Sequence, residues 1–224
     1  MAETVLLIER VAVGGPESPR VTLEIAAHTT VSVVGEDHTG IGNLGRVAIG
    51  LKPPGDGRVT VMGTDLATLS RSELLAYRRL VGYLPAGDGL LQNLTLHQNV
   101  ALPLRFGSNF SESQIASRLN IMLAATRLTG AEQLRPAQAS EEQRRRAALA
   151  RALAFDPDLV VLEDVFVGLT DRAARDVLET ARGGDLPQGS RRTVLTIGPV
   201  LPSSVIQRFD LRYRMTRQGL QPED

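Results

Sequence analysis

The stretch VVGEDHTGIGNL, residues 33–44, carries Gly35 and Gly40 at the G-x-x-x-x-G spacing of half a phosphate-binding loop. In such a loop, backbone N–H groups at a helix N-terminus cradle phosphate, a lysine adds a point charge, and Ser or Thr holds Mg²⁺. Here the Lys and Ser/Thr positions are Ile41 and Gly42, and Glu36 and Asp37 stand inside the loop. One carboxylate about 5 Å from a phosphate repels it by roughly 3 kcal/mol at an effective dielectric near 20. The only lysine of the chain is Lys52, beyond the helix expected to follow the loop, so it is a poor substitute. A strand-to-helix turn that keeps its glycines for geometry accounts for this stretch better than a working cradle. Two further clusters could do chemistry. Glu163 and Asp164 end an apolar run, and Ser140-Glu141-Glu142-Gln143 opens a helix.

The elements that must position these residues follow from the apolar pattern. Runs at 4–8, 31–34, 59–62, 159–162 and 193–197 read as strands, several too uniformly apolar to have a wet face. Buried strands alternating with helices predict an α/β domain with a mainly parallel sheet. PPGDG at 53–57 is a turn leading into RVTVMG, which reads as a peripheral antiparallel strand. From about Leu91 to Ala154 the helix signal dominates. SESQ at 111–114 matches a capping box, and Ile115, Leu119, Met122 and Leu123 share one helical face that ends by Gly130. SEEQ at 140–143 is a second capping box. The expected division is therefore a core formed by 1–90 and 155–224, interrupted by a helical subdomain at 91–154.

Composition removes several function classes. The 224 residues carry a formal net charge of zero, so nothing global points to nucleic acid, and no cysteine is present for disulfides or thiolate metal sites. The three histidines are His28, His38 and His97, all in the first half. The N-terminal MAETVLLIER lacks the basic start of a signal peptide, and no apolar stretch approaches the roughly eighteen residues of a membrane span, so the expected setting is cytoplasmic.

Three later stretches, taken with the loop, carry a family likeness. They are NVALPLRF at 99–106, QRRRAALARALAFDPDLVVLED at 143–164 and FVGL at 166–169. In this order they resemble the ATP-binding subunit of ABC transporters, and most nearly those of Mla/Mce-type phospholipid transporters. The likeness runs from Val5 to about Leu220. It implies a P-loop ATPase core with an inserted helical subdomain. It also implies a head-to-tail dimer in which the phosphate loop of one copy faces the LSGGQ signature of the other across ATP. The implied permease contact is the groove near residues 86–106.

Against that family pattern the chemistry-bearing positions depart together. Val13, in VAVGGP at 11–16, stands where an aromatic would stack on adenine. Ala86 replaces the glutamine that touches Mg²⁺ and the attacking water, and Gln92 is displaced by six residues. ASEEQ at 139–143 replaces LSGGQ, so Glu141 and Glu142 put bulk and charge where glycines let an anion approach. Acids in a first helical turn favour the macrodipole by about 0.3–1 kcal/mol each, and these two are expected to supply the anion that ATP otherwise provides. Glu163-Asp164 exchanges the order of the two acids, and a displacement of about 1 Å at a reacting water costs about 10²-fold. Thr170 stands for the D-loop Asp unless Asp171 replaces it, and Gly198-Pro199 stands where a switch histidine belongs.

Residues that shape the fold, by contrast, fit the pattern. The expectation is a non-hydrolysing subunit on the inner face of the cytoplasmic membrane, with no intact catalytic group, no metal site and no confident cofactor. ATP with Mg²⁺ would fit only a rebuilt site. It would pair with itself or with an intact ATP-binding subunit, and would bind no nucleic acid. Two alternatives stand beside this. One is an ATPase using Arg46 for the lysine and Glu163-Asp164 for metal. The other is a scaffold that keeps the dimer geometry without a membrane complex.

Overall fold

A computed structural model describes residues 3–14, 18–183 and 191–223. Strands β1 (Thr4–Ala12) and β2 (Arg20–Ala26) form an antiparallel pair, and β3 (Thr30–Gly35) opens the central sheet. After β3 come the short helix α1 (Leu44–Ala48), strands β4 (Arg58–Val61) and β5 (Thr64–Asp65), helix α2 (Arg71–Tyr77) and strand β6 (Val81–Leu84). Helices α3 (Leu96–Gly107), α4 (Glu112–Ala125) and α5 (Glu141–Ala152) follow without an intervening strand. The chain then returns to β7 (Leu159–Glu163), α6 (Asp171–Arg182), β8 (Thr193–Gly198), α7 (Ser203–Ile206), β9 (Leu211–Thr216) and β10 (Gly219–Pro222).

The larger sheet has the order β10-β9-β3-β8-β7-β6, parallel except for the β9–β10 hairpin. The smaller sheet, β2-β1-β4-β5, is antiparallel. The fold is thus an α/β domain with a mainly parallel sheet, an antiparallel β part and a helical subdomain, as the apolar pattern predicts. The stretch after PPGDG is the antiparallel β4, paired with β1. Strands β2, β5, β6, β9 and β10 lie outside the expected runs. In β2 the signal was present, since buried Val21, Leu23 and Ile25 alternate with exposed neighbours. In β9 Leu211, Tyr213 and Met215 alternate with Arg212, Arg214 and Thr216, but only Met215 is buried, so the strand reads as a polar stretch.

Period-two alternation places the sheet between two cores. Val160 and Leu162 of β7 pack with the side holding α3, α5 and α6, while Leu159 and Val161 pack with the side holding α1, β1 and β2. Because β3, β6, β7 and β8 run parallel, their C-terminal residues Gly35, Leu84, Glu163 and Gly198 meet at one edge of the sheet. That edge is where open α/β sheets place their ligands.

Candidate functional site

The loop leaving β3 does not open into a helix N-terminus. It forms two 3₁₀ turns, Asp37–Thr39 and Ile41–Asn43, and α1 begins only at Leu44 and lasts five residues. This corrects the expectation that the helix start survives. Two of the loop amides are used internally. Thr39 donates to Glu36 O through its N–H at 2.9 Å and its hydroxyl at 2.6 Å, and Asn43 N–H donates to Gly40 O at 3.0 Å. Nor is there a side-chain cap at Asn43. Its Nδ2 instead donates to Val13 O at 2.8 Å, which ties the loop to the end of β1.

Gly40 explains why its glycine persists. Its φ is +81°, and an added Cβ would lie 2.4 Å from Gly14 Cα, inside any tolerable contact. The chain at 13–14 therefore lies directly on the loop. Val13, at the position implied for adenine stacking, is buried in the core, while Gly15 and Pro16 fall outside the described residues. Ile41, at the lysine position, is buried as well, and its Cδ1 would meet a Cβ on Gly35 at 3.0 Å. Gly42 is exposed with open space around it. Glu36 is exposed, its Oε2 3.1 Å from His38 Nδ1; the Asp37 side chain lies outside the described part of the structure.

Glu163 ends β7 and is buried, with 6% of its surface exposed. Its Oε2 accepts from the Tyr83 hydroxyl at 2.9 Å and from Ala86 N–H at 3.2 Å. Its Oε1 has no hydrogen-bond partner and rests against α1, 2.4 Å from where a Cβ on Gly45 would stand. Burial raises the Glu163 carboxyl above the ordinary carboxylate range; the two hydrogen bonds oppose this, Asp164 adds to it and the Arg46 charge opposes it. The Tyr83 hydroxyl is likewise pushed up, first by burial and then by Glu163. Ala86, at the position implied for the glutamine, contributes its amide, which holds the Glu163 carboxylate.

Asp164 turns the other way. It adopts φ +50°, its N–H donates to Ile197 O at 2.8 Å, and its Oδ1 stands 3.2 Å from where a Cβ on Gly198 would be. The pair is split between two neighbouring strands, and exposed Pro199 follows where the histidine would stand.

At the entry to α5 the sequence reading of a capping box holds. Ser140 Oγ accepts from Gln143 N–H at 3.2 Å and Gln143 Oε1 accepts from Ser140 N–H at 2.8 Å. Glu141 and Glu142 do not project as free anions, which corrects that expectation. The Glu141 carboxylate packs on Gly168, where an added Cβ would stand 2.4 Å away, and its Oε1 lies 3.8 Å from the Arg145 guanidinium. Glu142 pairs with Arg146 at 2.7 Å, and Arg146 also reaches Asp176 at 3.4 Å and Thr126 O at 3.3 Å. Arg127 pairs with Asp176 from the far side. Arg145 and Arg146 are buried, a point the run of three arginines did not reveal. The i,i+4 spacing of Glu141–Arg145 and Glu142–Arg146 was the signal that could have found it. Thr170 caps α6 by accepting from Ala173 N–H at 3.3 Å, so its place in the D-loop is that of an N-cap.

The stretch 86–106 is fixed from both sides. Fully buried Asn99 on α3 accepts from Leu91 N–H at 2.8 Å and donates to Leu91 O at 3.1 Å and to Thr95 O at 2.9 Å. Arg151 of α5 donates to Gly89 O at 2.7 Å and Asp88 O at 2.9 Å. Gln92 bonds only its own neighbour, Leu90 O, at 3.3 Å, so it does not replace the missing glutamine. Phe106 at the end of α3 is 84% exposed.

ATP with Mg²⁺ does not fit this edge. Its lysine position is a core isoleucine, the Thr39 and Asn43 amides are bonded within the loop, and its first acid is held by Tyr83 and Ala86. Among the described residues no group of three His, Cys, Asp or Glu is placed to hold a metal ion.

Comparison with known proteins gives a consistent result. A family model described as ABC transporter matches residues 19–166. The methionine import ATP-binding protein MetN 1 of Yersinia pestis bv. Antiqua (strain Antiqua) is 34% identical over 177 residues, covering 79% of this chain and 50% of that protein. The MetN of Haemophilus ducreyi is 33% identical over 200 residues, covering 89% and 56%. The chain thus spans about half the length of the curated relatives it matches. Among solved structures, the ATP-binding cassette MJ0796, dimeric in a post-hydrolysis state bound to ADP and Pi, matches with a TM-score of 0.85 at 20% identity over 98% of each chain. The cbiO1 protein from Clostridium perfringens, part of the transporter complex cbiONQ, matches at 0.81 and 16% identity over 98% of this chain and 87% of that one. At such identities the two structures speak for the fold alone. The curated relatives are named for methionine import, so the narrower likeness to Mla/Mce-type lipid transporters gains no support from them.

Proposed function

The chain belongs to the ABC transporter family, and from that premise we propose that it is a non-hydrolysing ATP-binding-subunit homologue. It docks on a membrane permease through the surface at 86–106 and pairs with a second subunit, either its own copy or an intact ATPase. The observation that carries the reading is the structural use of the groups at the lysine position, at two loop amides and at the first acid. Ile41 is a core residue, the Thr39 and Asn43 amides bond within the loop, and Glu163 is held by Tyr83 and Ala86.

The division of labour follows from the same contacts. Asn99 and Arg151 fix the 86–94 segment to α3 and α5, so a force applied there by a permease passes into rigid helices. The end of β3, where nucleotide would push back, is closed by the Gly14–Gly40 contact. Such a subunit receives motion and does not generate it. Cargo selection belongs to the permease on this reading, and the relatives' names favour an importer over a lipid transporter. A working ATPase has one observation in its favour: Arg46 is exposed on α1 and its charge acts on Glu163.

Isothermal calorimetry on the purified chain with MgATP separates the two. The expected result is no binding heat at millimolar nucleotide. A micromolar Kd, with phosphate release abolished by Glu163→Gln, overturns the proposal.

A further inference from the structure

The chain's single lysine has no role in this reading, yet it stands at the rim of an apolar cavity on the other side of α1. The cavity, about 370 Å³, has Val47 of α1, Val59 of β4 and Leu66 as its buried floor and Leu74 of α2 as a wall. Lys52, two prolines and exposed Ala67 make the rim. That volume lies within the roughly 300–1,000 Å³ of small-molecule sites, which are mostly apolar with few polar groups. Among the described residues that line it there is no Asp or Glu, and Lys52 makes no ion pair with any described residue. The backbone that carries Lys52 is fixed, since Leu51 N–H and Lys52 N–H both donate to Arg46 O, at 2.8 and 3.1 Å. An anchored cation above an apolar floor selects a ligand with an anionic head and an apolar tail.

We propose that this cavity binds a small amphipathic carboxylate, its tail on Val47, Val59, Leu66 and Leu74 and its head at the Lys52 ammonium. The occupant bears on α1, the helix whose Gly45 carries Glu163 Oε1, so its binding is sensed at the closed edge of the sheet. The proposal is independent of whether the chain binds nucleotide.

The test titrates the full chain with decanoate, decanol and decylamine below their aggregation concentrations, by calorimetry and thermal shift. Decanoate is expected to bind at one site and raise Tm, with decanol weaker and decylamine weakest. Lys52→Gln weakens decanoate about fivefold and leaves decanol unchanged, as one exposed charge pair would. Ala67→Phe, an exposed substitution at the rim, fills the cavity and abolishes binding of both. Circular dichroism checks that each variant is folded. Equal binding of the three amphiphiles, no binding of any, or decanoate affinity untouched by both substitutions overturns the proposal.

Discussion

The exit from β3 and the entry to α5 have both departed from the phosphate-binding pattern of their family, with opposite structural results. At α5 the two glutamates leave a better helix start than glycines would. They sit in a complete capping box, complement the macrodipole and pair one turn on with Arg145 and Arg146. At β3 the start of the helix has dissolved into two 3₁₀ turns without a side-chain cap, held by the loop's own carbonyls and by Gly14. One site is ordered through side-chain charges, the other through bonds to backbone carbonyls. On the proposed non-hydrolysing reading, the ligand's place is taken by intrachain charge pairs at one site and by the chain itself at the other.

The contrast is most easily broken at Arg146. Its side chain is 7% exposed and joins Glu142, Asp176 and Thr126, so Arg146→Ala empties a buried site, strips half-exposed Glu142 of its cation and leaves Asp176 to Arg127 alone. We expect a loss of about 2 kcal/mol in urea unfolding. A loss below about 1 kcal/mol would show that ion pairs do not order this entry.

Next in size is a sign reversal on the other side. Gly45→Ala drives a methyl group into Glu163 Oε1 and is expected to cost about 1–2 kcal/mol despite the better helix propensity of alanine. In a Glu163→Ala background the same change should stabilise by up to about 1 kcal/mol. Identical costs in the two backgrounds would deny that Glu163 rests on α1. The smallest effects sharpen the comparison directly. Ser140→Ala removes a cap and should cost about 1 kcal/mol, whereas Glu36→Gln, in an exposed loop that is not held by its side chain, should stay within about 0.5 kcal/mol. Equal costs at the two positions, measured by urea unfolding, would remove the distinction between side-chain and backbone ordering.

Local features were legible in the sequence. The boxes at Ser140–Gln143 and Ser111–Gln114 span three residues and depend on nothing distant, so their residue types identify them. The buried strands were legible because parallel strands covered on both faces read as continuous apolar runs. What escaped depends on separation along the chain. Tyr83 meets Glu163 across 80 positions, and Arg146 meets Asp176 across 30, with no local pattern to announce either. The dissolved helix start at 36–43 escaped for another reason. Two 3₁₀ turns and one α-helical turn demand nearly the same apolar spacing over so few residues.

Ile41 has a further consequence, which concerns reversibility. A lysine restored at position 41 would not simply regain its charge. It would have to leave the core through a loop whose backbone lies on Gly14, and would vacate the core on that side of the sheet. A lysine at 41 with a free ammonium therefore needs at least two simultaneous changes, one in the core and one in the path of the chain.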